Sequence, residues 1–147
     1  MRLARGPAVA ILDVAPVGPD YLPGHAHADT LSFELSVGTQ RVLVNSGTSC
    51  YGSSAERLRQ RGTAAHNTVV VNGQDSSEVW SGFRVARRAY PLSLNIEESA
   101  DATATEVRCA HNGYARLPGK PTHHRTWHMD AHSLTVTDRV EGHHQCA

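Results

Sequence analysis

Thr30-Leu31-Ser32-Phe33-Glu34-Leu35-Ser36-Val37 sets the fold: each odd position is apolar and each even one polar. A repeat of two is the signature of a strand with one buried face. Gly38-Thr39-Gln40 reads as the turn that follows and Arg41-Val42-Leu43-Val44-Asn45 as the partner strand, so the stretch predicts a hairpin.

Working outward, the same kind of signal recurs. Ala8 to Val14 predicts a strand before the hairpin. Thr68-Val69-Val70-Val71 is β-branched throughout and runs into the turn signal Asn72-Gly73. Arg84 to Ala89 and Thr103 to Ala110 are further strand candidates. Arg125 to Met129 and Ser133 to Asp138 flank Asp130-Ala131-His132 as a second hairpin. One short helix is expected over Ser53 to Gln60, with Ser54 as its N-cap. Asp75 to Ser81 and Asn112 to Pro121 read as surface loops, the latter broken by Pro118-Gly119-Lys120-Pro121. Many short strands with polar turns predict an all-β chain, an antiparallel β-sandwich with a short helical turn at most.

Composition narrows the function classes. The chain has 147 residues, enough for one domain, and its 14 basic and 14 acidic side chains cancel. That balance argues against a partner recognised by phosphate neutralisation, so no nucleic acid is expected. No apolar run approaches the roughly 20 residues of a membrane span, and Met1 to Pro7 opens no signal-peptide core. Cys50, Cys109 and Cys146 form no CxxC pair and read as three free thiols. The excess is histidine, with 10 residues.

Chemistry gathers in three segments. In Gly24-His25-Ala26-His27-Ala28-Asp29 an extended backbone would put His25, His27 and Asp29 on one face, where two imidazoles can chelate a cation and a carboxylate can ligate or orient. Val44-Asn45-Ser46-Gly47-Thr48 ends an apolar strand on a polar residue that either faces a site or caps the turn. Ala64-Ala65-His66-Asn67-Thr68 places a histidine at the head of an apolar run, as a ligand or as a satisfied structural residue.

The order of these pieces, followed by Tyr51-Gly52, an arginine-rich segment and the His124 to Gly142 stretch, resembles the heparinase II/III-like family of polysaccharide lyases, over about residues 6 to 142. The resemblance implies a supersandwich-like C-terminal sheet domain, spanning residues 1–147 as a single incomplete unit whose N-terminal α/α toroid is absent. It implies a carbon–oxygen lyase that cleaves uronic-acid glycans, such as alginate or glycosaminoglycans, by β-elimination. The main catalytic Tyr, Asn and His sit on the toroid in that family. The sheet domain supplies a cleft-facing histidine, which matches His25, and a structural zinc whose ligands match His27, Asn45 and His66. Asn45 stands where the family has Asp; a neutral amide lacks the carboxylate's charge, so weakened or absent zinc is expected unless Asp29 or a water compensates.

Tyr51 is a candidate substrate-facing phenol. Arg61, with Arg57 and Arg59, faces either an acidic glycan or an interdomain surface, and Arg84, Arg87 and Arg88 share that ambiguity. His123, His124, His128 and His132 read as surface residues, and His143 and His144 as part of a terminal segment. A periplasmic or secreted address follows from the resemblance alone. Two other readings stand beside the lyase: a non-catalytic carbohydrate-binding or structural β module, and a cupin-like metalloenzyme. The cupin spacing fails, because Leu31 and Ser32 stand where its Glu is needed.

Overall fold

The computed structural model describes residues 1–142. His143, His144 and Cys146 lie outside the described residues. The described residues form ten strands, one α-helix and two short 3-10 turns. The strands are β1 (Arg2–Arg5), β2 (Ala8–Leu12), β3 (Phe33–Val37), β4 (Gln40–Leu43), β5 (Val79–Trp80), β6 (Arg84–Val85), β7 (Pro91–Glu98), β8 (Thr105–His111), β9 (Thr122–Met129) and β10 (Leu134–Glu141). The helix α1 spans Ala55–Arg61.

The decisive hairpin is β3–β4, turned at Gly38, whose φ of 59° suits a residue without a Cβ. It joins β1 and β2 in a four-stranded antiparallel sheet of order β1-β2-β3-β4. The second hairpin, β9–β10, joins β8 and β7 in another antiparallel sheet, order β10-β9-β8-β7. Its turn is closed by Asp130, whose Oδ1 accepts from the backbone N–H groups of His132 and Ser133, both at 2.7 Å. A two-stranded ribbon, β5–β6, stands apart.

The two large sheets pack as a sandwich. Leu3, Ala10 and Leu12 from the first, with Leu31 from the turn just before β3, meet Val107, Cys109, Trp127 and Met129 from the second. Strand β9 shows the cause most plainly: His123, Arg125, Trp127 and Met129 are buried, while the residues between them are half-buried. Polar groups also enter this interior. Arg125 holds Asp138 through Nε at 2.7 Å and Nη2 at 2.8 Å, and its Nη1 reaches the carbonyls of Leu31 and Asn67, both at 2.6 Å.

Several elements depart from the sequence reading. Among the described residues, the expected strand at Thr68 to Val71 makes only an isolated bridge, between Val71 and Gln74. Its neighbours hold it by side chains instead: Thr68 Oγ1 donates to the Thr30 carbonyl, and Tyr114 Oη to that of Val69. The 30–37 strand begins only at Phe33, because Leu31 takes a φ of 63°. Arg84 to Ala89 contributes two residues of strand. Strands β1 and β7 were not expected. In β7, Leu92, Leu94 and Ile96 alternate, but a register break between Leu92 and Asn95 with Ser93 at φ 53° interrupts the period. Cys50 and Cys109 are free thiols, as expected.

Candidate functional site

The segment carrying His25 is not a strand. Pro23 opens a 3-10 turn, Pro23–His25, and the chain then runs irregularly to Thr30. His25, His27 and Asp29 therefore do not share a strand face. The fold nonetheless brings His25, His27, Asp29, Asn45 and Thr48 to one open depression. His25 is exposed at its rim, its ring edge-on to Tyr51 with centroids 5.8 Å apart. Tyr51 is 61% exposed and stacks parallel to Phe83 at 6.4 Å.

Beneath the rim lie the three residues matched to zinc ligands. His27 Nδ1 stands 3.3 Å from His66 Nε2, and His66 Nδ1 stands 3.0 Å from Asn45 Oδ1. The backbone N–H of Gly47, which can only donate, also points at Asn45 Oδ1 at 3.0 Å, so the facing atom is the amide oxygen. Asn67 fixes the His66 segment to the first sheet, its Nδ2 donating to the carbonyls of Phe33 at 2.9 Å and Val44 at 3.1 Å.

The helix supplies the floor. Ser54 caps it, accepting from the N–H of Arg57 at 3.1 Å. Its buried face is polar: Arg57, Gln60 and Arg61 face inward while Leu58 is 39% exposed. Arg57 is fully buried. Its Nη1 lies 3.1 Å from His27 Nε2 and 3.0 Å from Thr48 Oγ1. Its Nε and Nη2 donate to the carbonyls of Gly82 at 3.2 Å and Gly24 at 3.3 Å, and its guanidinium sits 5.3 Å from the Tyr51 ring centre.

Arg61 corrects an expectation. It was a candidate to face substrate, yet it is fully buried and gives its donors to the carbonyls of Ala26, Ser81 and Arg84 at 2.9, 3.1 and 3.1 Å. It builds the loops that hold the site. Arg59 pairs with Glu56 on the surface, Arg87 with Glu78 and Arg88 with Asp20, so these arginines form no free basic patch. Phe83 is the site residue the sequence reading did not name, Thr48 entered it only as part of the Val44–Thr48 segment, and Arg57, read as facing a glycan or an interdomain surface, is instead buried beneath the site. The available signal was the spacing of Arg57, Gln60 and Arg61, which puts three polar residues on one helix face.

Burial dominates the electrostatics. It pushes His27 down to about 4, helped by His66 and Arg57, and it also lowers His66. Both imidazoles are neutral near pH 7. Burial, then repulsion from Asp13, raises Asp29 to about 7.

These donors can be tested against zinc. Two nitrogens on one tetrahedral zinc lie about 3.3 Å apart, and His27 Nδ1 and His66 Nε2 meet that spacing. The third donor fails: Asn45 Oδ1 is spent on His66 Nδ1, at the far side of that ring, and carries no charge. His27 is disfavoured as well. Binding an ion through Nδ1 would leave the proton on Nε2, facing the Arg57 N–H donor at 3.1 Å and leaving it to share Thr48 Oγ1, 3.1 Å away, with that same guanidinium. Among the described residues no group of three or more His, Cys, Asp or Glu is placed to hold a metal ion. The residues present do not fit a zinc site.

Compared with protein families, residues 1–145 match the family described as Heparinase II/III-like, C-terminal. The chain belongs to the heparinase II/III-like family. No curated protein and no solved structure matches it. The antiparallel β-sandwich expected of this family's C-terminal domain is the fold observed. The family description, being C-terminal, implies an N-terminal partner domain in the full-length heparinase II/III-like proteins. Membership in a polysaccharide lyase family follows at this level. Among the described residues no helix is long and apolar enough to cross a membrane.

Proposed function

We propose that this chain forms the sheet side of the cleft in a polysaccharide lyase that cleaves uronic-acid glycans by β-elimination. The observation that carries the reading is an exposed His25 set edge-on to an exposed Tyr51, above a fixed polar floor, in a chain of the heparinase II/III-like family.

The chemistry needs such a rim. The proton on the carbon next to a uronate carboxylate is weakly acidic. Its removal needs a base, a neutralised carboxylate, and a proton for the departing glycosidic oxygen. The C–H pair becomes the new carbon–carbon double bond as the carbon–oxygen bond breaks. His25 is a group that can bind the sugar or move that proton near neutral pH. Tyr51 and Phe83 offer an aromatic face to the sugar ring. The rest of the machinery belongs to an N-terminal α/α toroid, with this chain as one incomplete unit of the larger enzyme. Zinc at His27, Asn45 and His66 enters no step, because the donors do not fit it.

The acidic glycan is the proposed partner, and a periplasmic or secreted address accords with it. A second reading, a non-catalytic carbohydrate-binding module, is favoured by the exposed Tyr51–Phe83 stack. One experiment separates them. The chain, alone and joined to a toroid domain of the family, is incubated with alginate, heparan sulfate and hyaluronan while the ultraviolet absorbance of unsaturated uronate is followed. The lyase reading expects absorbance from the joined protein. Binding to uronate oligomers with no unsaturated product gives the module reading.

A further inference from the structure

Buried polar groups must be paired, and the direction of each pairing can be worked out where one partner can only donate. Arg57 is such a partner. Its guanidinium has no acceptor, so the 3.1 Å contact with His27 Nε2 requires a lone pair on that nitrogen. The neutral ring then carries its proton on Nδ1. That proton points at His66 Nε2, 3.3 Å away, which must accept it. His66 is then protonated on Nδ1, and this proton meets Asn45 Oδ1 at 3.0 Å, an oxygen already identified by the Gly47 N–H. Thr48 Oγ1, which accepts from Arg57 Nη1 at 3.0 Å, also stands 3.1 Å from His27 Nε2 and shares that lone pair with Arg57, and from Asn45 back through His66 to His27 each ring proton has one place.

We infer that Arg57 is the positioning residue of this site, and that a hydrogen-bonded chain Arg57–His27–His66–Asn45 does the bracing that the family resemblance assigns to zinc. The helix, the 25–30 segment, the 45–48 turn and the 63–68 segment are thereby tied at one point. Asn45 is the residue that closes the chain without an ion, since an amide oxygen accepts the His66 proton and adds no charge for a cation to balance. Arg57 adds a second service: its remaining donors hold the Gly24 and Gly82 carbonyls, which flank His25 and Phe83. The rim used in the proposed lyase reaction therefore rests on Arg57, although the residue does not face the depression.

This inference deepens the lyase reading, yet its test does not depend on turnover. Long-range proton–nitrogen spectra of the chain report which ring nitrogen of each histidine is protonated, with assignments from His27→Gln and His66→Gln. The expected spectrum of the unsubstituted chain shows both rings neutral with the proton on Nδ1, unchanged after equilibration with one equivalent of zinc. Arg57→Met is expected to shift the His27 tautomer ratio toward Nε2–H by about tenfold, the factor one charge-assisted hydrogen bond carries. Arg57→Lys, which keeps a donor, restores Nδ1–H. A proton on Nε2 of His27 in the unsubstituted chain, or zinc retained one to one through dialysis against a mild chelator, overturns the inference. Both readouts need no folded Arg57→Met protein. A failed lyase assay would leave them standing, and their failure would leave the lyase assay to be judged by itself.

Discussion

His27 Nδ1 and His66 Nε2 face each other at 3.3 Å across 39 residues of sequence. The spacing of a metal-bound pair is present, but the third ligand is an amide and the outer nitrogen of His27 answers to a guanidinium.

Asn45→Asp should therefore create what the present donors lack. A carboxylate accepting from His66 Nδ1 raises the basicity of Nε2 and supplies negative charge beside the pair. Zinc affinity is expected to rise by about 10–100-fold, the range seen when a group supporting a metal ligand is changed. Calorimetric titration of both proteins with zinc measures it; equal affinities would contradict the prediction.

A second buried relay sets an acid limit. Gly113 N–H donates to His111 Nδ1 at 3.1 Å, so His111 carries its proton on Nε2 and gives it to His123 Nδ1 at 3.0 Å; His123 Nε2–H in turn meets Asp138 at 2.7 Å. Burial first, then His123 and Arg125, lowers His111 from 6.5 to about 3. The folded state thus binds fewer protons than the unfolded one below pH 6.5. Its contribution to stability is present above that pH and is lost as pH falls through about 3. Thermal melts from pH 8 to 4 should show a declining midpoint, and His111→Gln should flatten the decline.

Asp138→Ala removes the carboxylate that, among the described residues, alone is bonded to the buried Arg125 and His123. Breaking such a pair leaves a buried charge uncompensated and is expected to cost about 3 kcal/mol. Urea denaturation measures the loss. A change under about 0.5 kcal/mol, typical of a surface substitution, would contradict the packing described.

Gly82→Ala tests the support of the rim. An added Cβ would lie 2.3 Å from the Gly52 carbonyl oxygen, while Gly82's own carbonyl accepts from Arg57 at 3.2 Å. The two loops must separate, at an expected cost of about 1–3 kcal/mol. Ring-proton shifts of Tyr51 and Phe83 should move with it, because their stack spans the same loops.

Legibility in the sequence followed locality. The β3–β4 and β9–β10 hairpins and the Ser54 cap were readable because alternation and turn chemistry act within a few residues. Thr68 to Val71 misled because Thr68 and Tyr114 hold that run by side chains from distant elements. His123 was expected at the surface, yet it is fully buried, because its partners His111 and Asp138 come from β8 and β10. The order of motifs pointed to His25, His27, Asn45, His66 and Tyr51, and the fold gathers them. Arg57 and Arg61 were read as surface or glycan-facing charges; their burial depends on backbone carbonyls that no local pattern reveals.

The most direct measurement of the central claim is the turnover of His25→Ala against the unsubstituted sequence, each joined to the same toroid domain. The account predicts that kcat falls by about 100-fold or more, the contribution of a placed proton-transfer group, with KM little changed. An unchanged kcat in a folded protein would contradict it.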